Sequence, residues 1–104
     1  MATRTECDRN TTATIRLAVW EIEDVRQVLL RRSREKHWTQ SHRENCAKAR
    51  EWLRTLIEGK DRIADVELTE RRWVLLGIGR ACIADGLGDV GADILNQVQT
   101  GGGA

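Results

Sequence analysis

Proline, phenylalanine and tyrosine are all absent from this sequence. Because proline interrupts helices more strongly than any other residue, its absence favours long helices. No apolar run approaches the roughly 18 residues that a membrane span needs, so the sequence predicts no transmembrane segment. The first ten residues are charged and contain no apolar stretch, so we also expect no secretory leader.

Cysteine is scarce, and its three positions lie far apart. Cys7, Cys46 and Cys82 form no CxxC pair, and an odd number of cysteines cannot all be paired within one chain. Free thiols are typical of a reducing compartment, which predicts a cytoplasmic protein. Cys46 and Cys82 fall at apolar helical positions, where we expect each thiol to behave as a small buried hydrophobe.

The residues that are present suit one small globular domain. The chain has 104 residues, of which 40% are hydrophobic and 32% are charged, with a formal net charge of +1. This balance is too apolar for a disordered chain and is ordinary for a folded domain. Arginine outnumbers lysine by 14 to 3, so the cationic groups are mostly planar guanidinium forks.

Apolar residues recur at three- and four-residue spacings through four segments, which predicts an all-α fold, a compact four-helix bundle. The first helix is expected to begin at Thr11 or Thr12, either of which can act as its N-cap. It should continue to about Arg34 or Lys36. This would make it long for a small domain.

A second helix is expected from about His42 to Glu58. Ser41 and Glu44 have the spacing of a capping box, which satisfies two free N–H groups at a helix start. Gly59 stands where a left-handed residue commonly ends a helix.

The third helix is expected from Glu70 to about Ala84, with Thr69 as its N-cap. Its apolar residues occur nearly all round, which predicts the buried centre of the bundle. Gly77 and Gly79 each cost about 1 kcal/mol in a helix interior relative to alanine. Close approach of another helix is the simplest reason to keep them.

The remaining segments complete the expected organisation. Residues 89–99 form a short fourth helix, and residues 60–68 form a connector. A flexible N-terminal arm (1–10) and a flexible C-terminal tail (100–104) flank a single helical domain (11–99). No internal repeat is visible in the sequence.

The near-zero net charge conceals a strongly basic segment. Residues 26–54 contain nine Lys or Arg against three Glu, whereas residues 1–25 and 55–104 are both net negative. A short connection makes two helices pack as an antiparallel pair, so these charges should gather on one surface. Such a surface is typical of phosphate binding, and it predicts a nucleic-acid interface, preferably for single strands.

The candidate nucleic-acid contacts come from this segment. Phosphate contacts are assigned to its basic residues, which are Arg31, Arg32, Arg34, Lys36, Arg43, Lys48, Arg50 and Arg54. His37 and Trp38 lie in the expected loop and are assigned to base stacking, with His42 as an accessory. A purely structural explanation stays open, because Arg50 and Arg54 have Glu51 and Glu58 available as partners on the helix surface.

An interaction module without nucleic-acid binding is the alternative. Leu17, Trp20 and Val28 project opposite the main apolar stripe of the first helix. They indicate a helix that is central in its bundle, or single exposed side chains, or a surface for a homodimer or a host protein.

Catalysis and cofactor binding are not expected. The pair His42 and Cys46 has a spacing that metal ligands use, but no paired cysteine or histidine motif accompanies it. The glycine pairs at 77/79 and 86/88 follow no strand and lack the spacing of a phosphate loop. The expected protein is therefore a non-enzymatic binder with no metal, cofactor or small-molecule substrate.

In length, in the absence of a catalytic motif and in its Arg- and Trp-containing basic segment, the chain resembles anti-CRISPR proteins of phages and mobile elements. The resemblance implies a short inhibitor that binds a nucleoprotein effector or its nucleic acid. Many anti-CRISPR proteins are acidic DNA mimics, and the basic segment of this chain departs from that pattern. A small helix-turn-helix regulator is the alternative, although the expected fourth helix contains no Lys or Arg.

Overall fold

The computed structural model describes residues 11–101, so the expected arm (1–10) and the end of the expected tail lie outside the described residues. The elements in chain order are β1 (Thr12–Ala18), α1 (Val19–Arg34), α2 (Gln40–Ile57), β2 (Asp65–Arg71), α3 (Arg72–Ala84) and α4 (Gly88–Gly101). Four helices and a two-stranded antiparallel sheet make an α+β fold. The prediction of an all-α bundle is therefore wrong.

The sheet contains the residues that were expected to start the first helix and to form the connector. Thr14 and Thr69 lie opposite each other, with their hydroxyl oxygens 2.8 Å apart, and Arg16 forms a 2.8 Å ion pair with Glu67. Side chains alternate between the two faces of a strand. The buried face consists of Ala13, Ile15, Leu17, Val66 and Leu68.

The helices differ from the predicted ones mainly at their starts. α1 begins at Val19 because the preceding residues are in β1. The Thr39 hydroxyl accepts the backbone N–H of His42 at 3.1 Å, so Thr39 caps α2 in place of the predicted Ser41. α4 continues to Gly101, two residues beyond the predicted end.

The chain divides into two compact units. Leu17–Val66 contains α1 and α2, which pack against each other. Its buried apolar residues include Ile22, Val25 and Leu29 of α1 and Leu53 of α2. Cys46 is also buried, as expected.

The other unit comprises residues 11–16 and 67–101 and contains α3 packed on α4. A Cβ added at Gly91 would lie 2.6 Å from the Gly79 carbonyl oxygen, so these two glycines permit close approach of the helices. The expected burial of α3 is wrong on one side, because Trp73 is 52% exposed and Ile83 44% exposed.

The order strand–helix–helix occurs twice along the chain. β2 begins 53 positions after β1, and each strand runs directly into a helix. Trp20 and Trp73 are each the second residue of the helix that follows a strand, and both are exposed. The structure thus shows a repeated arrangement that was not visible in the sequence.

None of the helices within residues 11–101 combines the length and the apolar character needed to cross a membrane.

Candidate nucleic-acid interface

The basic segment forms two groups of side chains. We call Arg32, His37, Trp38, His42 and Cys46 the turn cluster, because they surround the turn between α1 and α2. We call Arg26, Arg43, Arg50 and Arg54 the arginine row, because they follow one side of the α1–α2 pair.

Arg32 is the buried centre of the turn cluster. Its side chain is at the last turn of α1, only 6% of the residue is exposed, and the guanidinium carbon lies 4.3 Å from the centre of a Trp38 ring. The Arg32 Nη1 is 3.3 Å from the Nε2 of His42. The Arg32 guanidinium is therefore buried against Trp38 and His42 and is not exposed to a ligand. This corrects its predicted role as a phosphate contact.

Trp38 belongs to the same internal stack. It is half-buried, and the centroid of the His42 ring lies 4.6 Å from its own. With a guanidinium group and an imidazole against it, the indole is not the open stacking platform that the sequence predicted. His37 is exposed, and its ring centroid lies 4.8 Å from that of Trp38.

His42 also contacts Cys46, whose Sγ lies 3.6 Å from the His42 Nε2. These are the two residues whose spacing in the sequence is one that metal ligands use. Within residues 11–101 no third ligand joins them, because no group of three His, Cys, Asp or Glu residues is suitably placed to hold a metal. His42 acts in this structure as a packing partner of the turn cluster.

Several predicted phosphate contacts lie on the surface. Arg31 and Arg34 are exposed in the last turn of α1, Lys36 is exposed in the turn, and Lys48 is exposed on α2. Cations at the end of a helix also interact favourably with its dipole, so Arg31 and Arg34 stabilise α1 whether or not they bind a ligand.

Arg54 is the member of the arginine row that is already neutralised. Its guanidinium lies 2.6 Å from the Glu51 carboxylate and 3.5 Å from that of Glu58. The hydrogen bond with Glu51 raises the pKa of Arg54, and the same bond lowers the pKa of Glu51. Arg54 therefore has the purely structural role of an ion-pair partner on the helix surface.

Arg26 and Arg50 meet across the two helices. The Arg26 Nε donates a hydrogen bond of 3.2 Å to the backbone carbonyl of Arg50. Burial lowers the pKa of Arg26, and repulsion by the charges of Arg50 and Arg54 lowers it further. Arg26 contributes to the charge of residues 26–54 but was not among the predicted phosphate contacts.

Arg43 and Arg50 stand seven residues apart on one side of α2, where a helix repeats its face after two turns. Both residues are half-buried. The Nε atom of each is enclosed, and neither finds a hydrogen-bond acceptor among the described residues. A buried donor without an acceptor is unfavourable, so each Nε–H would gain an acceptor if its side chain turned outwards towards a ligand.

The predicted partner stripe on α1 does not exist as a surface. Leu17 and Val28 are each 2% exposed and belong to the apolar core. Only Trp20 of that set is exposed, at 42%. The stripe is wrong because Leu17 is in β1, where alternation directs its side chain to the buried face of the sheet.

Comparison of the chain with protein-family models, with curated proteins and with solved structures finds no match. The function proposed below therefore rests on the geometry of these side chains.

Proposed function

We propose that this protein binds nucleic acid through the arginine row and acts as a binder rather than a catalyst. The phosphate groups of the nucleic acid would be held by Arg26, Arg43 and Arg50. Arg31, Arg34 and Lys36 would add charge at the turn end of the same helix pair.

The observation that carries this proposal is the state of the three central arginines. Arg26, Arg43 and Arg50 are half-buried, and none forms an ion pair with a carboxylate among residues 11–101. Arg26 also lies in the field of two like charges. A phosphate group beside them would offset this repulsion, and the guanidinium fork of Arg43 or Arg50, once turned outwards, would donate to it.

The extent of the row favours a polymeric anion over a single small one. Positions 43 to 50 of α2, which hold the two arginines without an ion pair among the described residues, cover roughly 10 Å at the rise of an α-helix. Successive phosphates of a strand can follow this distance, each beside its own guanidinium. We therefore propose binding that depends on the phosphate backbone and is largely independent of base sequence.

The preference for single strands has one remaining support. His37 is an exposed ring at the turn, where an unpaired base can stack on it, whereas Trp38 is occupied internally. A stacked base is worth about 1–3 kcal/mol. We therefore propose a modest preference for single-stranded over duplex DNA.

The resemblance to anti-CRISPR proteins suggests where such binding would be used. A nucleoprotein effector in the cytoplasm presents guide or target strands, and the arginine row would occupy part of their path. This context is proposed from the resemblance, whereas the chemistry of binding is proposed from the arginine row.

The test is to titrate the protein into fluorescently labelled single- and double-stranded oligonucleotides at low salt. The fluorescence anisotropy of the oligonucleotide reports binding. The variant Arg43→Gln/Arg50→Gln should bind more than tenfold more weakly than the unchanged protein. The control Lys60→Gln/Arg62→Gln removes the same charge from exposed positions in the loop after α2 and should change the affinity less than threefold. Equal losses in the two variants, or no binding by the unchanged protein, would refute the proposal.

A further inference from the structure

One face of α3 is apolar and uncovered. Trp73 and Ile83 are about half exposed on it, and Leu76 is half-buried beside them. Gly77 and Arg80 are exposed on the same side, because positions 73, 76, 77 and 80 follow the helical spacing of neighbours. We call Trp73, Leu76, Gly77 and Arg80 the α3 face.

Gly77 is the residue that packing within the described chain does not explain. A Cβ at Gly79 would lie 2.9 Å from Leu95, so α4 accounts for that glycine. A Cβ at Gly77 would meet nothing within 4 Å. Glycine is unfavourable in the middle of a helix, and here it leaves a notch that opens outward between Trp73 and Arg80.

We propose that a second copy of this chain packs its own α3 antiparallel on the α3 face. The two-fold axis of this dimer passes between Leu76 and Gly77. In a symmetric pair each contact occurs twice, with residues exchanged between the copies. Leu76 of each copy then inserts into the Gly77 notch of the other, and Trp73 of each copy lies against Arg80 of the other.

The arrangement is complementary both in shape and in charge. The notch at Gly77 has room for a leucine side chain, and Leu76 of the other copy supplies one. The Arg80 cation is attracted to the face of the Trp73 indole ring. Arg80 has no ion pair in this part of the structure, so it is available to Trp73 of another copy. Arg71 already lies 5.8 Å from the Trp73 ring, and a ring has two faces to offer.

The size of the face sets the expected strength. α3 has 13 residues and is about 20 Å long, which is one helix-to-helix contact. Such a contact lies below the roughly 1,200 Å² that stable interfaces bury. The dimer should therefore be weak, should exchange rapidly, and should form in the micromolar range or above.

Sedimentation velocity of the full chain, from about 1 µM to about 1 mM, tests this directly. The unchanged protein should shift from monomer towards dimer across the range. Gly77→Glu and Trp73→Ser should each raise the dissociation constant at least tenfold. Trp20→Ser is the matched control, since Trp20 is an exposed tryptophan at the same position of the other strand–helix–helix segment, and it should leave the constant unchanged.

An exchange of residues distinguishes the proposed pairing from general stickiness. Trp73→Arg should weaken the dimer, because two guanidinium groups then face each other, and adding Arg80→Trp should restore it to within about threefold, because a cation and an indole again face each other. Circular dichroism checks that each variant is folded. A monomer at every concentration, equal weakening by Trp20→Ser, or no recovery in the double variant would overturn the proposal.

Discussion

At the scale of single residues, Arg32 shows how a charged side chain can be part of a core. Its position follows Val28 and Leu29 by four and three residues, so the periodicity of α1 places it on the buried stripe. The guanidinium is stacked on Trp38 and contacts His42, which gives the buried cation partners. A cation that continues an apolar stripe was the sequence signal for this role.

Arg32→Ala should lower the free energy of unfolding by about 2 kcal/mol or more, because a desolvated cation–π contact is lost and a cavity is left. Urea unfolding followed by circular dichroism measures this. The control is Arg31→Ala, an exposed neighbour on the same turn, which should stay within about 0.5 kcal/mol of the unchanged protein. Equal effects of the two substitutions would contradict the internal role of Arg32.

At the scale of elements, the sheet has only two strands, and such a sheet is marginal by itself. Gln97 of α4 supports β1 from outside the strand pair. Its amide nitrogen donates to the Arg16 carbonyl at 2.8 Å, and its amide oxygen accepts the Arg16 N–H at 2.7 Å. One side chain thus provides the two hydrogen bonds that another strand would form with Arg16.

Gln97→Ala should remove both bonds and destabilise the protein by about 1 kcal/mol. The more specific expectation concerns hydrogen exchange, in which the Arg16 amide should lose protection relative to neighbouring amides of β1. Gln99→Ala, an exposed position on the same helix, should leave that amide protected. Unchanged protection of Arg16 in Gln97→Ala would show that the contact does not hold the strand.

Two glycines of α3 and α4 should respond differently to substitution, because Gly91 lies in the contact between these helices and Gly77 does not. Gly91→Ala would place a methyl group 2.6 Å from the Gly79 carbonyl oxygen and 2.7 Å from Ile83, so it should cost about 1–3 kcal/mol through overpacking. Gly77→Ala meets no atom and should stabilise the monomer by up to about 1 kcal/mol. Thermal unfolding at low protein concentration compares the two, and a stabilising Gly91→Ala would contradict the packing.

The sequence indicated four helical segments but not the strands, and the reason is physical. Ile15, Ala18, Val19 and Ile22 satisfy the three- and four-residue spacing of a helix. Residues 12–18 also alternate between exposed and buried side chains. They form a strand instead of a helix because residues 65–71 have the same alternation and pair with them. That long-range pairing is not a property of either segment alone.

The sequence located the cationic segment but not which of its arginines are buried, paired or exposed. The charge of residues 26–54 identified the helix pair on which the cations lie. Whether a given arginine is exposed, buried or paired depends on which side of the helix faces its neighbour. Arg26 meets Arg50 only after α1 and α2 pack, so its importance required the tertiary structure.

At the scale of the whole molecule, one arrangement of strand and two helices is used twice with different surface chemistry. α1 and α2 contain the arginine row, whereas α4 has Asp89 and Asp93 and no basic residue. The uncovered face of α3 is apolar with a single cation. The repeated architecture therefore presents a cationic surface in one segment and a largely apolar one in the other.

The central claim is that Arg26, Arg43 and Arg50 bind phosphates, and the salt dependence of oligonucleotide binding tests it most directly. Each phosphate contact with a single strand adds about 0.7 to the slope of log K against log salt concentration. The variant with glutamine at these three positions should therefore lose about 2 from the slope of the unchanged protein. Binding whose slope is unaffected by removal of all three arginines would contradict the account.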